Sequence, residues 1–94
     1  MPQFLIEREI EGAGAMSPEQ LRDASAHSNA VLASLGPDIE WVHSYVAGDK
    51  IYCVHETEDV ETVLKHARRG GFPANTVSEV ANEFGPHSAA AATA

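Results

Sequence analysis

The chain has 94 residues, enough for one domain with a modest core, and 44% of them are hydrophobic. Six basic residues stand against 14 acidic ones for a net charge of −8, which argues against a nucleic-acid partner and against an anionic membrane surface. The lone Cys53 cannot make an internal disulfide, Met1 to Phe4 lack the basic start of a signal peptide, and no apolar run approaches the roughly 20 residues of a membrane span. A soluble, cytoplasmic protein is expected.

Phe4, Ile6 and Ile10 alternate with Leu5, Glu7 and Glu9, which predicts a strand with one oily and one acidic face, interrupted on the oily side by Arg8. Gly12 and Gly14 end it. Ser17-Pro18-Glu19-Gln20 then carries the marks of a helix start: a capping hydroxyl, a proline at the first helical position and a glutamine completing a capping box, with Met16 placed to staple onto Leu21. Leu21, Ala24, Ser28, Val31, Leu32 and Leu35 form its stripe, and Gly36-Pro37 terminates it.

Trp41 to Glu56 reads as two strands joined by a tight turn at Gly48-Asp49, because glycine reaches the positive φ that such a turn requires. The turn sets Val46 against Ile51, Tyr45 against Tyr52, His43 against Val54 and Trp41 against Glu56. Strand alternation then places Trp41, His43, Tyr45, Tyr52, Val54 and Glu56 on one face, and Val42, Ser44, Val46, Ile51, Cys53 and His55 on the other. A second helix follows, capped by Asp59 or Thr57, with Val60, Val63, Leu64 and Ala67 as its stripe and Gly70-Gly71 at its end. Thr76 to Val80 predicts a last strand. From Gly85 the chain is mostly alanine without periodicity, so residues 1–84 are read as the domain and 85–94 as a disordered tail.

Strand, helix, strand, strand, helix, strand is the α+β, ferredoxin-like βαββαβ order. It predicts a four-stranded antiparallel sheet with both helices on one face. The small and aliphatic hairpin set suits the helices, so the Trp41–His43–Tyr45 set points to the other face. That face is too apolar to stand bare, a second copy is its simplest cover, and two sheets packed this way would enclose a cavity.

His43 is the leading candidate for chemistry, since imidazole ligates nickel, copper or zinc and also transfers protons. Glu56 shares its face, and Glu7 and Glu9 project from the barrel side of the first strand, so His43, Glu7, Glu9 and Glu56 form a candidate metal set. Hydrogen bonding of His43 to Tyr or Glu in a polar cavity is the alternative. Trp41, Tyr45 and Tyr52 are candidate cavity walls, with Tyr45 also a hydroxyl able to orient a ligand. Cys53 falls on the helix side, away from His43. His55 is expected near solvent at a strand end, and His66 on the flank of the second helix. Gly12 and Gly14 follow a strand without the full dinucleotide fingerprint, the helix being entered through Ser17-Pro18, and no hydrolase, zinc-protease or phosphate-loop signature is present.

Trp41-Val42-His43-Ser44-Tyr45-Val46, then Tyr52-Cys53-Val54, Ala67-Arg68-Arg69 and Gly71-Phe72-Pro73, together with Phe4-Leu5-Ile6-Glu7-Arg8, resemble a family of small bacterial proteins that form a domain of unknown function and include a nickel-binding member. The resemblance spans roughly residues 3 to 80. It implies a ferredoxin-like fold, a dimeric α/β barrel and nickel as the bound ion, and it marks His43, Ser44, Tyr45 and Cys53 as motif residues without assigning Ser44 or Cys53 a role. The expectation is a dimeric nickel-binding protein without turnover. The alternatives are a cofactor-free enzyme of the barrel monooxygenase type, acting on an aromatic or polyketide-like ligand, and a dimeric binding or stress-related module.

Overall fold

The computed structural model describes residues 1–91. Strand β1 (Gln3–Glu9) leads through a short 3-10 turn at Ala13–Ala15 into helix α1 (Pro18–Leu35). The hairpin β2 (Ile39–Ala47) and β3 (Lys50–Thr57) follows, then α2 (Val60–Gly70) and β4 (Thr76–Glu79). The sheet order is β2-β3-β1-β4 with antiparallel pairing throughout, the ferredoxin-like arrangement expected from the element order. A single helical turn, α3 (Ser88–Ala91), falls in the segment expected to be disordered, and residues 92–94 of that segment lie outside the described part.

The local signals act as their chemistry predicts. Ser17 Oγ accepts from the Gln20 amide at 3.1 Å, and Gln20 Oε1 accepts from the Ser17 amide at 2.9 Å, so the capping box closes at the start of α1. Asp59, rather than Thr57, caps α2 by accepting from the Thr62 amide at 3.0 Å. Gly48 turns the hairpin at φ 59° and Gly71 ends α2 at φ 72°, both left-handed positions that disfavour a side chain.

The core sits between the sheet and α2. Phe4 and Ile6 of β1, Cys53 of β3 and Val63 of α2 form it, with Ile51, Ala74 and Val77 packed around them. Ile6 and Val63 are completely buried, each worth about 1.5–3 kcal/mol by transfer from water. Helix α1 covers the β2 side more loosely. Its Ser28 and Val31 are buried, whereas Ala24 and Leu21, one and two turns before Ser28, are exposed and stand over an open space. Arg69 ties the two helices together by donating to the Ser34 carbonyl at 3.3 Å and to its hydroxyl at 3.2 Å.

Hairpin register agrees with expectation for Val46–Ile51, Tyr45–Tyr52 and His43–Val54, and then departs from it. A bulge between Trp41 and His43 makes Val42 an extra residue, so Trp41 pairs with His55 rather than Glu56, and Glu40 takes the place opposite Glu56. One inserted residue reverses the alternation beyond it. Trp41 therefore lies on the helix side, correcting the reading that put it beside His43. Its Nε1 donates to Ser44 Oγ at 2.8 Å on that side.

Candidate functional site: two faces of one sheet

On the face without helices, β1 contributes Leu5 and Glu7, β2 His43 and Tyr45, and β3 Tyr52, Val54 and Glu56. His43 is exposed and packs edge-on against Tyr45, ring centroids 5.0 Å apart. Tyr45 and Tyr52 oppose each other across the hairpin, and Tyr52 neighbours Glu7 on its other side. Glu7 pairs with Lys50 at 3.7 Å, and Glu56 accepts from Gln3 Nε2 at 3.3 Å. Glu9 is exposed at the end of β1.

The metal set read from the sequence thus shares a face without converging. Glu7 lies two strands from His43 and one side-chain row further along, and strands are spaced about 4.8 Å apart. Glu56 sits in the row on the opposite side of Val54, with Glu40 and Gln3 as its cross-strand neighbours. Among the described residues, no group of three or more His, Cys, Asp or Glu is arranged to hold a metal ion. A single copy supplies one imidazole with scattered carboxylates.

The helix side is different. A cavity of about 550 Å³ lies between α1 and the sheet, lined by Arg8, Met16, Leu21, Ser28, Trp41, Ile51, Cys53, His55, His66 and Phe72 among others. His55 and His66 are each 1% exposed, which corrects the expectation of a solvent-reaching His55 and a flanking His66. Their rings stand 4.9 Å apart. His66 shares a hydrogen bond with Ser28 Oγ at 3.1 Å, and the Nδ1 atoms of both histidines are buried without a hydrogen-bond partner among the described residues. Burial pushes His55 down to about 3, helped by His66 and Arg8. Burial likewise pushes His66 down to about 4, with Arg8 and His27 adding to the effect and the Ser28 backbone opposing it. Both rings are neutral at ordinary pH.

Arg8, which interrupts the oily side of β1, is carried by strand alternation into the same space. It is 3% exposed. Its Nε donates to Cys53 Sγ at 3.4 Å and its Nη1 to the Pro73 carbonyl at 2.8 Å, while its guanidinium stands 5.3 Å from the centre of the Phe72 ring. This cluster could have been found from the sequence by extending the alternation: Arg8 follows Phe4 and Ile6, and His55 follows Ile51 and Cys53, at intervals of two.

The sequence matches, over residues 4–80, the family described as nickel responsive protein SCO4226-like. The chain belongs to that family. The match covers the whole sheet and both long helices of this SCO4226-like chain. The crystal structure of SCO4226 from Streptomyces coelicolor A3(2) has the same fold, with a TM-score of 0.71 and 24% sequence identity over 87% of this chain and 99% of that one. No curated protein matches the sequence. Among the described residues, no helix is long and apolar enough to cross a membrane.

Proposed function

We propose that this SCO4226-like chain is a cytoplasmic homodimer that binds nickel at the helix-free face of its sheet, without turnover. Membership of a nickel responsive family is the observation that carries the reading. The donor chemistry is compatible with it, since imidazole and carboxylate both suit a borderline divalent ion. His43 would be the primary ligand, held by the Tyr45 ring, with Glu7, Glu9 and Glu56 as carboxylates and Tyr52 as a neighbouring hydroxyl.

One chain alone does not fit the ion, because its donors do not converge. A two-fold copy of the face would double the imidazoles and bring a second set of carboxylates, so dimerisation and metal binding are linked in this proposal. Exposed aromatic surface supports a partner of this kind: Tyr45, beside His43, is 62% exposed. A buried free thiol at Cys53 suits a reducing compartment.

The test is calorimetric titration of nickel into metal-free, tag-free protein, with sedimentation velocity on the same samples. Saturable binding accompanied by dimer is expected, and His43→Ala should weaken it about tenfold or more. Wild-type affinity in His43→Ala, or full binding by a monomer, would overturn the proposal.

A further inference from the structure

The helix-side cavity is separate from the proposed metal face and carries a different chemistry. Its one charged lining residue is Arg8, and no acidic side chain lines it among the described residues. The ion pair found among those residues is Lys50 with Glu7, on the opposite face, so Arg8 is a buried cation without a carboxylate. A guanidinium has five N–H donors; the thiol of Cys53 and the carbonyl of Pro73 engage Nε and Nη1. A buried charge without a counter-ion is costly, and a ligand anion removes that cost on binding.

Two further observations point the same way. The buried Nδ1 atoms of His55 and His66, both in the lining, lack hydrogen-bond partners among the described residues. Most of the remaining wall is apolar, including Met16, Leu21, Ile51 and Phe72. A volume of about 550 Å³ is within the range of small-molecule sites. The exposed Leu21 and Val46 mark its mouth.

We propose that this cavity binds a small organic carboxylate, its anionic head on Arg8 beside His55 and His66 and its apolar body against Trp41, Ile51 and Phe72. A cationic ligand would meet the like charge of Arg8. A neutral one would leave the guanidinium without a counter-charge. A planar carboxylate matches the fork of guanidinium donors, and a single negative charge balances the single positive one. The inference stands independently of nickel, because a different face and different residues carry it.

Trp41, the single tryptophan of the chain, lines the cavity and reports on it. Metal-free protein is titrated with 4-phenylbutyrate, 4-phenylbutanamide and 4-phenylbutylamine while Trp41 fluorescence and thermal unfolding are followed. Saturable binding of the carboxylate is expected, about tenfold or more tighter than the amide, with the amine weakest. Arg8→Met should abolish the preference for carboxylate over amide. The wild-type charge series decides the matter even if that variant does not fold, and Ala24→Phe, which adds a ring at the cavity wall, should block binding without removing Arg8. Equal binding of the carboxylate and the amide, or no saturable binding of any probe, would overturn the proposal.

Discussion

Arg8, His55 and His66 lie almost wholly out of water on the helix side of the sheet, while His43 and Tyr45 stand in solvent on the other. The same residue type, histidine, is therefore put to opposite uses a few ångströms of backbone apart. Burial holds the helix-side pair neutral and close together, whereas the exposed ring is free to meet an ion or another copy. The difference teaches that a polar side chain on the covered face is fixed by its surroundings before any ligand arrives, whereas one on the bare face keeps its donors and acceptors open to solvent.

The sharpest way to break this contrast is to truncate matched residues on the two sides of β1. Ile6→Ala, at a fully buried site, should cost about 2–5 kcal/mol in chemical denaturation. Leu5→Ala, its half-buried neighbour pointing the other way, should cost about 1 kcal/mol. Equal losses would mean that the bare face is covered in the isolated protein.

Acid should separate the two sides next. His55 and His66 have folded pKa values near 3 and 4, below the unfolded value of 6.5. Below 6.5 the unfolded chain therefore takes up protons that the folded chain refuses, and stability falls as pH drops toward 4. The two rings together should remove about 2–4 kcal/mol between pH 7 and pH 5, read from denaturant midpoints across that window. His55→Gln combined with His66→Gln should flatten the slope.

A smaller effect sharpens the comparison from the backbone. A Cβ at Gly70 would collide with the Phe72 ring, which lies against Arg8, His27 and His66. Gly70→Ala should cost about 1–3 kcal/mol by overpacking and shift the Trp41 emission.

Much of the architecture was legible in the residues. Ser17-Pro18-Glu19-Gln20, Gly48-Asp49 and Gly70-Gly71 each state a backbone geometry locally, so both helices and the hairpin could be placed from them. The bulge could not, because Val42 is an ordinary strand residue and nothing local marks it as the one doubled against β3. His66 escaped notice for another reason. A stripe drawn by hydrophobicity admits Val60, which is exposed, and omits His66, which shares the buried arc with Val63 and Ala67. Arg8 was visible as an interruption of the oily side, but its role depends on the absence of acid around it, which only three-dimensional proximity reveals. Alternation could put Glu7, Glu9 and Glu56 on the His43 face but not set their distances, since it fixes direction and says little about separation across strands.

The extra residue at Val42 has one more consequence. β2 is an outermost strand with Val42 and Val46 open to water, the kind of border that invites another chain to add itself. A kink there throws the free amides and carbonyls out of line, so an incoming strand finds no continuous ladder to zip along. Concentrated protein is thereby steered away from filament growth through this border.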